Sequence, residues 1–160
     1  MTLSRALPRS VIATALATAL IVPLPALAQS QLDRMQVLSE QANALMNEAL
    51  IAQIPALDGN LPAPEWDDRT RAAYACMMDG YVDAVGSDAV DQMLDQMEAA
   101  LDGATTESLM SGEMEQGIDM PEGMTEAQTQ ALLASCGVME VMMARMAESG
   151  AMTVMMQQQR

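Results

Sequence analysis

Sulfur and carboxylate are the two chemistries this chain offers. It has 18 methionines, 2 cysteines and 22 acidic residues, against 7 basic residues, no His and no Phe. Thioethers are neutral, polarizable donors that select soft cations such as Cu(I). Met139, Met142, Met143 and Met146 lie at offsets of three, four and seven, which puts their sulfurs on one face of a helix. Met139-x-x-Met142-Met143 recurs as Met152-x-x-Met155-Met156, and Met93/Met97, Met110/Met114 and Met120/Met124 are pairs four apart. The competing use is packing, because methionine fills irregular cores and no Phe is present to do so. On that reading Met93, Met97, Met139, Met142, Met143 and Met146 are buried stripe. Met110, Met114, Met120 and Met124 fall in an acidic, glycine-containing stretch where no core pattern accounts for them. The primary expectation is no cofactor. The alternative is copper or silver held by Met139, Met142, Met143, Met146, Met110 and Met114. Exposed methionines also make an adaptable contact surface and oxidise reversibly.

Cys76 and Cys136 are the only thiols. In a chain bound for an oxidising compartment their default is a disulfide. It closes a loop of 59 intervening residues, a constraint of about 4 kcal/mol on the chain-entropy account. No C-x-x-C motif argues for a redox or metal-binding pair instead.

The carboxylates concentrate. Asp88, Asp91, Asp95, Glu98 and Asp102 follow one another at spacings of three and four, with no basic residue on the same helix to answer them. Such a strip is a solvated face or a docking surface for a basic protein or a hard cation; it lacks the D-x-D-x-D-G calcium loop. Without His there is no catalytic triad and no His zinc site, and without Lys no Schiff base. Pairs such as Asp79/Asp83 are the remaining acid–base candidates. One Trp and two Tyr make a poor lining for a sugar cleft. The expectation is a protein without catalysis.

In composition alone, the methionine-rich segments resemble those of periplasmic copper-handling proteins, which mix His or Trp among the methionines. This chain has no His, and Trp66 is remote in sequence.

The elements that must position these residues begin after an export signal. Arg5 and Arg9 precede an apolar run, Val11 to Leu24, and Ala26-Leu27-Ala28 is an A-x-A cleavage site. The run is too short to span a bilayer, and Pro23 and Pro25 break its end. Residues 1–28 therefore read as a cleaved signal peptide, which places the protein in the periplasm or outside the cell without a stable membrane anchor. Two of the seven basic residues lie in that segment and none of the 22 acidic ones, leaving five Arg and a formal charge of −17 on residues 29–160. That surface repels phosphate backbones, so nucleic acid is excluded as a partner. A basic or apolar protein is favoured.

Residues 29–150 read as one all-α domain, a bundle of about four helices stapled by the disulfide, and 151–160 as a frayed Met/Gln-rich tail. The helices are expected at 31–54, from near Pro64 through Ala84, at 88–102 with Ser87 as cap, and at 126–148. The last opens on the capping box Thr125-Glu126-Ala127-Gln128. Residues 55–65 and 104–124 read as loops, the second with one possible helical turn. Gly80 in the second helix requires either a break or a close neighbour. The role that emerges is an exported accessory or interaction protein presenting an acidic, methionine-rich surface, with soft-metal binding as the alternative.

Overall fold

The computed structural model describes the backbone of residues 24–111 and 123–158, and the side chains of 30–108 and 123–158. Residues 1–23, which carry most of the expected export signal, lie outside the described residues, as do Met114, Met120 and Arg160. Within the described ranges every regular element is helical. In chain order these are α1 (Leu24–Gln53), a 3-10 turn (Pro55–Leu57), α2 (Asp68–Val85), α3 (Ser87–Asp102), α4 (Thr106–Ser111), α5 (Glu126–Ser135), α6 (Val138–Ser149) and α7 (Ala151–Gln158).

Among the described residues seven helices stand where about four are expected, for three reasons. The strong period over 126–148 is cut at Gly137, whose φ of +67° is the left-handed conformation that ends one helix and opens the next. The 104–124 stretch supplies α4. The tail is helical over 151–158, with Ala151 fully buried and α7 packed on the 3-10 turn.

Two helix starts follow local caps, and at a third a tertiary contact takes the expected cap away. α2 begins at Asp68, not Pro64, because Asp67 is its cap. The Asp67 carboxylate accepts from the Thr70 N–H at 2.8 Å and from the Thr70 hydroxyl at 2.6 Å. Those two bonds, the hydroxyl first, and then Arg69 hold this carboxyl well below the usual carboxylate range. Ser87 does not cap α3; Gly86 occupies that position. The Ser87 hydroxyl and carbonyl instead accept from the Gln31 Nε2, at 2.8 and 3.0 Å, locking the start of α1 to the α2–α3 corner. The Thr125–Gln128 capping box forms as expected.

The core lies between α1, α2 and α3, closed by α6. Leu32, Met35 and Leu38 from α1 meet Ala73, Met77, Met78 and Tyr81 from α2, then Val90, Met93, Leu94 and Leu101 from α3 and Val138 from α6. Ala84, expected on the apolar side of α2, is exposed.

α2 and α5 run antiparallel, and four pairings fix their register. Cys76 is disulfide-bonded to Cys136 with Cα atoms 5.6 Å apart. A Cβ on Gly80 would lie 2.4 Å from a Leu132 methyl, Tyr81 hydrogen-bonds Thr129, and a Cβ on Gly123, just ahead of α5, would meet a Val85 methyl. The helix therefore does not break at Gly80; the glycine is the notch that seats Leu132. The staple closes the same contact one turn away.

Candidate functional site

α1 and α3 pack side by side, and a groove runs along the seam. Two adjoining cavities, of about 600 and 400 Å³, share Val37, Leu38 and Glu98. Leu38 belongs to the buried face of α1, whereas Val37 is 63% exposed. An apolar side chain one position off the buried stripe gives the groove an apolar wall, continued by Ala99. The rim is acidic: Asp95, Glu98 and Asp102 from α3, with Asp33 and the hydroxyl-bearing Ser30 from α1.

Arg34 faces the α3 side of this rim, and Arg71 pairs with Asp33 on the α1 side. Arg34 reaches Asp95 at 2.7 Å, Glu98 at 3.2 Å and Asp91 at 3.6 Å. The hydrogen bond to Asp95, opposed by partial desolvation and aided by Glu98, raises the guanidinium above its ordinary value. Such exposed pairs each contribute roughly 0–1 kcal/mol, so the clamp is modest, but it binds α1 to α3. The acid strip is thus answered from the neighbouring helix. Its five members separate: Asp95, Glu98 and Asp102 line the groove, Asp91 meets only the edge of the clamp, and Asp88 is exposed in the first turn of α3, where a negative charge is favoured.

The other described arginines are also committed within the fold. Arg69 bridges Asp67 and Glu148, at 3.0 and 2.8 Å, which lowers the Glu148 carboxyl. Arg71 pairs with Asp33 at 2.5 Å and donates to Gln36 on α1. Arg145 donates to the carbonyls of Ala63 and Glu65, at 2.5 and 2.7 Å.

The methionines divide differently from the packing expectation. Met93 is buried, as are Met35, Met77 and Met78, and Met97 packs against the core. Met139, Met142 and Met143 are 56%, 46% and 52% exposed. The buried side of α6 is turned to Val138 and, partly, Val141, so the four α6 methionines form its flank. Their helical spacing marks a common face but not the face that the core covers. Met124, unexplained by any core pattern in sequence, is half-buried and packed on the core. Met110 lies on α4, with its side chain outside those described.

Asp79 and Asp83 are exposed on α2 and line neither groove cavity. Among the described residues no three His, Cys, Asp or Glu side chains are arranged to hold a metal ion, and no helix is long and apolar enough to cross a membrane.

Sequence reasoning missed Val37, Arg34 and Asp33. The signal for Val37 was available: it falls outside the Leu32–Met35–Leu38 stripe. Arg34 was the basic residue nearest in α1 to an acid strip with no answer on its own helix.

Comparison with protein-family models, with curated proteins and with solved structures finds no match for this chain.

Proposed function

We propose that this is an exported, non-catalytic accessory protein that binds a cationic amphipathic segment of another polypeptide in the α1–α3 groove. The observation that carries the reading is the combination at one place of an apolar wall, exposed Val37 and Ala99 beside buried Leu38, and an acidic rim of Asp95, Glu98 and Asp102. A basic segment with one apolar face satisfies both. Apolar contact supplies the affinity, and the charged rim supplies steering and choice of partner. Arg34 already pairs with Asp95 and Glu98, so an incoming cation exchanges with that clamp and adds contact at Asp102.

Export supports this reading and is supported by it. The Cys76–Cys136 disulfide suits an oxidising compartment. The first described side chains that anchor α1, Gln31 and Leu32, lie beyond the expected cleavage point after Ala28. Removal of residues 1–28 therefore leaves those anchors in place.

The test is binding of a synthetic cationic amphipathic helix, followed by fluorescence anisotropy. Asp95 and Glu98 also hold Arg34, so the clean variant is Val37→Ser with Asp102→Asn. It is expected to weaken binding by roughly tenfold or more, the scale of losing an apolar anchor and a rim charge together. Binding by the parent protein should also fall as salt rises. Equal affinity in parent and variant, or equal affinity for an acidic peptide of the same apolar face, would rule the groove out.

A further inference from the structure

A third cavity lies apart from the α1–α3 groove, and it gathers sulfur. It has a volume of about 180 Å³ and sits between the C-terminal half of α1, the 61–63 segment and α6. Met46 from α1 and Met142 and Met146 from α6 line it beside Leu50 and Leu61, and Arg145 also lines it, its guanidinium donating to the Ala63 and Glu65 carbonyls. We propose that Met46, Met142 and Met146 form a three-thioether site for a soft monovalent cation, Cu(I) or Ag(I). The proposal is independent of the α1–α3 groove.

Three observations carry it. The first is convergence from two elements. Met142 and Met146 are one turn apart and so share a face, and Met46 lines the same cavity from α1. Helical spacing alone supplied a single-helix set that included Met139 and Met143. The fold replaces those two with Met46.

The second is access. Met46 is 39% exposed and Met142 46%, unlike the buried Met35, Met77, Met78 and Met93. Three rotatable bonds let each thioether turn its sulfur inward without moving a helix. The loop side of the cavity is held in place. Arg145 donates to the carbonyls of Ala63 and Glu65, and Asn47 donates to the Pro62 carbonyl at 2.9 Å.

The third is elimination of other soft donors. The chain has no His, and both cysteines are tied in the disulfide. A soft ion held by the disulfide-intact protein must therefore be held by methionine. Neutral sulfur ligands favour a soft monovalent ion over a hard divalent one.

The test uses the disulfide-intact protein with Cu(I) titrated anaerobically against a chromophoric chelator, and with Ag(I) titrated while the methionine methyl resonances are followed by NMR. The expected result is one ion per chain, with the Met46, Met142 and Met146 methyl signals shifting together. Met46→Leu, Met142→Leu and Met146→Leu should each weaken binding by roughly tenfold or more, at least the scale of losing an outer-shell partner. Met139→Leu/Met143→Leu and Met156→Leu should bind as the parent does. Leucine nearly conserves methionine volume, and the methyl readout on the parent protein needs no variant. The site is overturned if the chelator loses no ion to the protein, if Met46→Leu binds unchanged, or if the shifting signals are those of Met139 and Met143.

Discussion

Exposure, more than spacing, decides what a methionine does in this chain. Met77, Met78 and Met93 are sealed in the core while Met139, Met142, Met143 and Met156 stand in solvent. Mild peroxide should therefore oxidise the second set to sulfoxide well before the first. Peptide mass spectrometry of a time course checks this, and early oxidation of Met78 or Met93 would mean a looser core. Asp67 makes a second prediction at this scale. Its carboxyl is held below the usual range by Thr70 and Arg69. A lowered folded value means its contribution is complete above the ordinary carboxylate pKa of about 3.9 and is lost as pH falls below it. Asp67→Ala should lower the thermal midpoint at neutral pH. The gap between variant and parent should close only on acidification below about pH 4. The identities of the cysteines and of the acid strip were legible in sequence. The exposed side of α6 was not, because the same offsets of three, four and seven describe a buried stripe and an uncovered flank equally well.

The α2–α5 contact shows what elements add. Gly80 costs helix propensity, about 1 kcal/mol against Ala, and the fold spends that on close approach to Leu132. Gly80→Ala recovers the propensity but overpacks Leu132, at a cost of about 1–3 kcal/mol. The net expectation is a loss of roughly 1 kcal/mol in urea unfolding. In a Leu132→Ala background the same change should become neutral or stabilising, a coupling of about 0.5–3 kcal/mol. The disulfide spans the same contact. Replacing Cys76 and Cys136 by Ser should cost about 4 kcal/mol on the loop-entropy account, with α5 and α6 exchanging amide hydrogens sooner than α3. An unchanged denaturation midpoint would mean that packing alone holds α5 in place. The helical periods of α1 and α3, the capping box at Thr125 and the pairing of Cys76 with Cys136 could all be read before the structure. Gly137 could not, since a glycine inside a strong period looks like helix interior until its positive φ is known. Ser87 misled because Gln31, from another helix, takes its hydroxyl and carbonyl, and Pro64 because a stronger local cap, Asp67, stands three residues further on.

At the scale of the molecule, charge is arranged by scarcity. The chain carries a formal charge of −15 with only seven basic residues. Arg34, Arg69, Arg71 and Arg145 each tie one element to another. They act as internal braces, so the surplus of carboxylate faces outward, and it meets exposed apolar surface at the α1–α3 groove. The acidic balance was plain from composition; its meeting with Val37 depends on how two helices lie together. The most direct test of that groove as a docking site is an amide NMR titration of the intact protein with a cationic amphipathic peptide. The account predicts saturable shifts confined to residues 30–41 of α1 and 91–102 of α3, weakening as salt is raised. Shifts absent at saturating peptide, or gathered instead on the methionine flank of α6, would contradict it.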